Sequence, residues 1–534
     1  MRFGLNFLLR GSYIILMWAI LAYLQFSFAL AGGLELQDER LQLQAAVDGT
    51  YVEGLAVNIG NVSNSAALEW VSLVTHSRSE TLSRHFFIQG VDWNLDTLHW
   101  VLDESGLGAS VMSQDGRLEV RTRLDIVHGD RWINLGLEFI NHSPSPLALE
   151  QGPGLQLGPG LGEYAATGFG IADTLYSYVE PVISLGEEEL QRFAFDQDAT
   201  DKTYDVNSAS WAGLQSRYFA LLLVPEGEQT LGNIRIFPGG KSPDLPQRYL
   251  PKILVDLDAG TLLPGGRVER NYKIFAGPKS KDALASKDYD FSSLLFPGLW
   301  QWMRDLSFAL LWMLEIIYRL VPNWGLAIIL LAIFVRLIMY PLAQRSLKSQ
   351  QVFMKVQKAM QADLMEIKKN YKGGEQSERI LQLYEQHGVS PLAGLKPLLM
   401  VLIQLPIFVA LFNVLGQVFE LRDASFLWID TLAEPDRLFA LGFEIPLLGS
   451  YFNLLPVLMA VSTLLMIGMS STPAAENENK KKKIWPLLLM TLVFFVLFYP
   501  FPAGMVLYWT MANILHLIQQ WVVGQSSERK VSAH

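Results

Sequence analysis

Residues 323–343 read NWGLAIILLAIFVRLIMYPLA, an apolar run interrupted by a single charge, Arg336. About 20 apolar residues at 1.5 Å each cross a bilayer, so this stretch predicts a membrane span with a cation inside it. Working outward, charge vanishes in further blocks: residues 397–419, 445–475 and 484–527 carry none. The last block is 44 residues, too long for one helix, and Pro500-Phe501-Pro502-Ala503-Gly504 breaks it, because proline removes a donor and clashes with the preceding turn. Residues 11–34 are also uncharged, with Arg2 and Arg10 before them. Ala29-Leu30-Ala31 resembles a cleavage site, but the apolar run exceeds a signal peptide's, so an uncleaved signal anchor over 1–34 is expected. The sum is six transmembrane helices, one before residue 35 and five after residue 322.

The whole composition agrees. The chain has 534 residues, half of them apolar, 18% charged, with a mean hydropathy of +0.23; soluble domains are about 25% charged. With no cysteine, a thiol nucleophile, a disulfide framework, cysteine lipidation and cysteine-ligated metals are excluded. Charge is unevenly placed: residues 33–290 hold 36 acidic and 20 basic side chains. An acidic region does not suit nucleic acid, whose phosphates need Lys and Arg.

Residues 35–290 read as all-β. Period-two alternation runs through Leu118–Leu124 and Trp132–Phe139, and turn clusters such as Asn141-His142-Ser143-Pro144 and Pro264-Gly265-Gly266 separate such runs. Many short strands with Gly/Pro turns predict a large sandwich. Residues 291–322 are aromatic and apolar but carry Arg304, Asp305, Glu315 and Arg319, which predicts an amphipathic interfacial helix ahead of the span at 323–343.

Orientation follows from Lys and Arg in short loops. Residues 345–390 hold eight basic residues and the 471–483 loop has Lys480–Lys483, whereas residues 420–444 hold six acidic and two basic ones. Alternating these puts both termini, the 344–390 segment and the 526–534 tail in the cytoplasm, and the β domain and the 420–444 loop outside. Phe353, Val356, Met360, Leu364 and Ile367 recur at helical spacing, Gly373-Gly374 mark a break, and Ile380, Leu381 and Tyr384 mark a return helix. A cytoplasmic helical hairpin is expected there, followed by the four spans within 391–525.

Standard catalytic motifs are missing: no Walker motif, no Gly-x-Ser-x-Gly elbow, no metal-ligand pairing among eight histidines. Arg336 is the residue that asks for an explanation. A charge at that depth costs at least about 2.5 kcal/mol, and no span contains Asp or Glu to neutralise it. Snorkelling to the interface is the bland alternative; several residues still separate Arg336 from the helix end, which favours a water-filled, positively charged pocket. Gln404, Asn413, Ser462, Thr463, Thr491, Tyr508, Trp509, Thr510 and Asn513 are polar groups in the other spans. Each alone is more often helix-packing glue, but an unpaired cation shifts the weight for Gln404, Tyr508, Trp509 and Thr510.

Five pieces of sequence then carry a resemblance. They are Asn323-Trp324-Gly325, Val335–Leu342 around Arg336, Ser390-Pro391-Leu392-Ala393-Gly394, Gln404-Leu405-Pro406-Ile407-Phe408 and Phe501–Trp509. In order and spacing, over about 297–525, this set resembles the YidC/Oxa family of membrane protein insertases, in its Gram-negative form. The β region matches more loosely, for example at Trp211–Ala220. Two departures stand out: Glu35 follows the first span almost at once, without the family's usual polar linker, and Trp509 stands where some relatives have tyrosine.

The resemblance implies a periplasmic β-supersandwich and a five-helix core in the inner membrane. It implies a groove open to cytoplasm and lipid, with Arg336 drawing in the hydrophilic end of a membrane protein. The apolar segment then leaves along a slide formed by the third and fifth spans. The hairpin residues Phe353, Val356, Met360, Leu364, Gly373 and Gly374 match the substrate-receiving element. Nucleotide hydrolysis, covalent catalysis, cofactors and metals are not expected. Implied partners are nascent membrane proteins, the lipid bilayer and the Sec translocon, with the ribosome and the signal recognition particle pathway further possibilities; nucleic acid enters only through the ribosome. Two other functions compete: an anion transporter or channel, against which no inverted repeat is visible, and a tethered sugar-binding enzyme, which fold alone does not license.

Overall fold

The structure is a computed structural model. It describes residues 34–45, 52–58, 70–74, 76–77, 80–81, 84–103, 106–149, 153–162, 178–186, 190–195, 202–227, 230–242, 248–257, 260–285, 289–387, 396–446, 448–470 and 480–531. Of these, 53, 76, 77, 80, 81, 343, 345–355, 357, 358, 362, 396–401, 469, 470, 480–484 and 521–531 are described by backbone alone. The signal anchor expected over 1–34, nearly all of it, and the Ser390–Gly394 motif lie outside the described residues. The chain divides into two units, one ending at Leu295 and one beginning at Phe296, apart from residues 167–172.

The first unit is β-rich. Its strands are β1 Phe87–Gln89, β2 Trp93–Asp103, β3 Gly106–Ser113, β4 Leu118–Ile126, β5 Trp132–Asn141, β6 Gly154–Leu157, β7 Val179–Ser184, β8 Leu190–Arg192, β9 Tyr204–Ala209, β10 Trp211–Ser216, β11 Phe219–Pro225, β12 Leu231–Phe237, β13 Lys252–Asp256 and β14 Arg267–Pro278. A nine-stranded antiparallel sheet runs β8-β7-β10-β11-β14-β5-β4-β3-β2, and a five-stranded one runs β9-β12-β13-β6-β1. A further four-stranded sheet joins Glu35–Gln37, Leu41–Ala45, Val52–Asn58 and Trp70–Ser72.

The period-two reading is realised in β4 and β5. Leu118 to Ile126 pair with Asn141 to Ile133. Alternate residues Leu135, Leu137 and Phe139 are buried, while Asn134 is exposed. Strand β11, FALLLVP, is buried throughout, as expected of a central strand covered on both faces. The β-rich part and the helical part are as the sequence led us to expect.

The second unit is helical: α1 Gln301–Leu320, α2 Trp324–Ala359, α3 Gln361–Asn370, α4 Gly373–Gln386, α5 Lys396–Gln417, α6 Leu454–Ser470, α7 Lys480–Phe498 and α8 Ala503–Val531, with a hairpin, β15 Phe439–Ile445 and β16 Gly449–Phe452, between α5 and α6. Among the described residues, one helix, over Trp324–Leu342, is long and apolar enough to cross a membrane; Leu402–Gln417, Leu454–Gly468 and Trp485–Phe498 are shorter apolar helices. Helix α8 packs on α2, α5 and α6, α7 on α6, and α1 on α2 and α5. In α1 the buried stripe is Ser307, Leu310, Leu311 and Leu314, spaced i, i+3, i+4, i+7; Trp302 and Trp312 are exposed. The segment read as interfacial thus also docks on two helices.

Two local details differ from the sequence reading. The helix does not end with its apolar stretch: α2 continues to Ala359 with Pro341 inside it. A proline there forfeits one backbone bond, to Leu337, and the flanking residues favour helix enough to carry the turn. Phe353 and Val356 therefore sit on the same helix as Arg336, and the first bend is at Met360, which is fully buried. The second break falls at Tyr371-Lys372, not at the glycines: Gly373, at φ +66°, opens α4, and Gly374 lies within it. On α4 the buried residue is Leu383, while Leu381 is exposed.

Candidate functional site in the helical unit

Arg336 lies on α2 where that helix meets α8, and its side chain is partly buried. A small cleft there is lined by Ala332, Val335, Arg336, Met339, Gln404, Tyr508 and Ala512. Its free volume is about 20 Å³, room for about one water. Three of the residues singled out from sequence, Arg336 on α2, Gln404 on α5 and Tyr508 on α8, are thus brought to one place. Gln404 is exposed and Tyr508 buried.

The guanidinium has a partner that the sequence reading missed. Arg336 Nη2 donates to His516 Nδ1, one α-helical stretch of eight residues beyond Tyr508 on α8. An imidazole nitrogen that accepts from a guanidinium carries no proton, so the ring is neutral and its proton sits on Nε2. His516 Nε2 faces the Gln520 side-chain amide at 3.0 Å, where the amide oxygen, suitably turned, accepts that proton. The Nε of Arg336 is buried and, among the described residues, has no partner. Among the described residues, no carboxylate pairs with Arg336. The signal that would have found His516 is its spacing: Tyr508, Ala512 and His516 recur every four residues on one face of α8.

The other polar candidates go elsewhere. Thr510 is buried and its hydroxyl donates to the Val506 carbonyl at 2.7 Å, inside its own helix. Trp509 belongs to an aromatic cluster joining three helices: its ring lies 4.9 Å from Phe408 on α5 and 5.4 Å from Phe498 on α7. Asn513 Nδ2 donates to Ser462 Oγ at 3.2 Å and Thr463 Oγ1 at 2.9 Å, tying α8 to α6. Asn413 and Thr491 donate to carbonyls of their own helices, Val409 and Leu487. These groups are satisfied as packing polar residues usually are.

Of the hairpin residues, Met360 is buried, Val356 and Leu364 are partly buried, Gly373 and Gly374 are exposed, and the side chain of Phe353 lies outside the described residues. Arg379 stacks over Tyr371 at 3.9 Å and reaches Glu375 at 3.1 Å, so the hairpin's tip is held by local contacts.

The end of the bundle away from this hairpin is closed by the α5–α6 connection. Gly325 has room for no side chain: a Cβ there would sit 2.1 Å from the Phe426 ring. Asp436 Oδ2 accepts from the backbone N–H groups of Leu454 and Leu455 at 2.7 and 2.9 Å, capping α6. The Glu434 and Leu432 carbonyls accept from Ala503 and Gly504, capping α8. Both helix starts are thus satisfied by one loop.

A family model described as "60Kd inner membrane protein" matches residues 316–530, and another described as "YidC periplasmic domain" matches residues 134–307. The chain belongs to the YidC/Oxa family. The membrane protein insertase YidC of Treponema denticola is 30% identical over 350 residues, 62% of this chain and 58% of that protein. The membrane protein insertase YidC of Syntrophobacter fumaroxidans is 32% identical over 331 residues, 59% of this chain and 54% of that protein. The chain thus spans a little under three fifths of the length of the curated relatives it matches. A solved structure, "Active YidC insertase crystal structure with the first transmembrane domain resolved", is 18% identical, covers 95% of this chain and 98% of its own, and has a TM-score of 0.33. In this family the helical unit is the inner-membrane part and the β-rich unit the periplasmic domain.

Proposed function

We propose that this chain is a membrane protein insertase. It receives hydrophobic segments of nascent or newly made membrane proteins in a cytoplasm-open hydrophilic groove holding Arg336, and releases them sideways into the inner membrane, alone or with the Sec translocon. The observation that carries this reading is Arg336 itself: a permanently charged group at the α2–α8 junction with a neutral partner and, among the described residues, no carboxylate.

The physics of the step needs no nucleotide or covalent catalysis. A partly buried cation attracts the acidic, hydrophilic end of a client into a place where bare lipid would refuse it. Each client charge moved across the membrane potential contributes about 2.3 kcal/mol per 100 mV. Burying the client's apolar segment in lipid contributes about 25 cal/mol per Å². Helices α5 and α7 support the exit path, since Leu402 and Leu405 on one and Leu489, Leu492 and Val493 on the other are exposed. The α5–α6 connection, capping α6 and α8, supports closure on the periplasmic side. The topology that goes with this reading has both termini and the α2–α4 hairpin in the cytoplasm and the β-rich unit in the periplasm.

Depletion and rescue in cells tests it, with protease accessibility of a short membrane protein bearing an acidic exported tail as readout. Arg336→Lys should insert the client, Arg336→Ala should weaken insertion and Arg336→Glu should abolish it. Normal insertion by all three variants would reduce Arg336 to a snorkelling or structural residue and remove the electrostatic step.

A further inference from the structure

The connection between α5 and α6 presents apolar side chains that nothing described in the protein covers. In β15, Phe439 and Phe443 are 52% and 63% exposed, on either side of Gly442, where the pairing with β16 is irregular. Leu438 precedes them at 38% and Tyr451 of β16 adds 37%. Phe439 stacks on Phe452 across the hairpin at 5.0 Å, so this is an ordered aromatic surface.

Its base is bolted down. Tyr499, in the α7–α8 turn, accepts from the Asn453 N–H at 3.0 Å and donates to the Tyr451 carbonyl at 2.9 Å. Asn453 is fully buried; its side chain donates to the Tyr499 carbonyl at 2.8 Å and accepts from the Arg437 N–H at 3.1 Å. The hairpin is therefore carried rigidly on the helices.

A second observation comes from the tight turn Phe426–Ile429, whose ends exchange both backbone hydrogen bonds at 2.9 Å. Leu427 occupies it at φ +54° and is 76% exposed. Turns of this kind in water take glycine or asparagine, because a branched side chain is strained at positive φ. A strained leucine pointing out of the protein is favourable only where its surroundings are apolar.

We propose that this connection is a lipid-binding element, whose side chains Leu427, Phe439 and Phe443 lie in the head-group boundary of the periplasmic leaflet. The proposal rests on the reading of α5 and α6 as spans, and the argument for lipid is continuity: the element joins two helix ends that already meet lipid. Its make-up is that of an interfacial segment, with aromatic and aliphatic tips beside the charged Glu434, Arg437 and Glu444. Such an anchor would fix the depth at which the capped ends of α6 and α8 stand.

The chain has no cysteine, so single-cysteine labelling needs no background removal. Phe443→Cys, and Phe439→Cys as a second variant, would carry a polarity-sensitive fluorophore in the full chain. The vesicles would be phosphatidylethanolamine and phosphatidylglycerol with lipid spin-labelled near the head group or deep in the chain. Phe334→Cys, on the exposed side of α2, reports the deep membrane, and Ser377→Cys on α4 reports water. Both hairpin probes should be quenched several-fold more by the shallow spin label than by aqueous iodide. Iodide quenching equal to that at Ser377 would overturn the proposal. So would protection from both quenchers, which would mean a second copy or a protein partner on this face. If the Phe334 probe also escapes lipid quenching, the spanning reading itself fails; lipid quenching at Phe334 but not at the hairpin sinks the anchor alone.

Discussion

In the β-rich unit the Glu180 carboxylate accepts from Arg192 at 2.6 and 3.0 Å and from Gln215 at 2.7 Å; in the helical unit the Arg336 guanidinium meets a neutral imidazole. The first charge is matched by an opposite one in bidentate geometry and has little field left for anything else. The second keeps its full charge. A partly buried ion whose partner is neutral costs more than one that is paired, and the proposed attraction for a client gives that charge a use. On the proposed reading Arg336 acts on a client, whereas the Glu180–Arg192 pair holds the fold, and each prediction below tests one side of that contrast.

The largest effect should come from breaking the paired charge. Arg192→Met leaves Glu180, which is 5% exposed, without its cation. Removing one partner of such a pair costs about 3 kcal/mol. Urea-dependent pulse proteolysis of the full chain should show the β-rich unit opening at markedly lower urea, with insertion in mild conditions little changed. A loss of insertion without a loss of stability would erase the contrast from this side.

Lys279, at the end of β14, gives the second effect. Its side chain is buried, donates to the Ser216 carbonyl at 3.3 Å, and is pulled by burial down to about 7. Between that value and the ordinary 10.5 the unfolded chain binds a proton that the folded unit does not. Stability of the β-rich unit should therefore rise with pH across this window, by at most about 1.4 kcal/mol per pH unit, and level off below pH 7. Lys279→Met should flatten the slope; an unchanged slope would mean that the lysine is solvated when the unit is folded.

The two units were not equally legible in the sequence. The apolar helices were readable because the absence of charge over 397–419 or 484–527 is a property of composition, and the Pro500–Gly504 break appears where expected, between Phe498 and Ala503. The strand alternation in β4 and β5 was equally plain. What escaped was set by tertiary contacts. The sequence reading set the boundary between span and hairpin at 343, yet α2 runs on through Pro341 to Ala359. Thr510 and Trp509 follow Tyr508 in the chain, but a helix turns each successive residue by about 100°, so neighbours in sequence face different helices. His516 was invisible for the same reason: it counts as neutral in a charge tally, and only its register with Tyr508 places it by Arg336.

The third prediction attacks the unmatched charge by giving it a match. Gln404→Glu puts a carboxylate in the cleft that Gln404 lines with Arg336. The pair should be well tolerated by the fold, since it repairs a missing counter-charge, but it should quench the attraction for an acidic client. Insertion of such a client should fall about tenfold, equivalent to about 1.4 kcal/mol, while a client with a neutral exported end is little affected. Equal losses for both clients would point to steric blocking of the cleft, and the control Gln404→Met would then fall with it.

The smallest effect concerns His516, and it distinguishes holding the charge from merely housing it. His516→Gln keeps an acceptor on α8 for the Arg336 N–H, whereas His516→Phe fills the space and offers none. A net hydrogen bond of about 1 kcal/mol sets the scale: Phe should cost about fivefold in insertion of the acidic client, and Gln less than about twofold. The fold should not distinguish the two, so their urea midpoints should agree. If the Phe variant inserts normally while Gln404→Glu still fails, the guanidinium is positioned by packing against Ala332, Val335 and Met339 alone. The neutral partner would then be a by-product of avoiding a carboxylate. If the Phe variant fails and Gln rescues it, the imidazole is what allows a full charge to stand in this cleft without being cancelled.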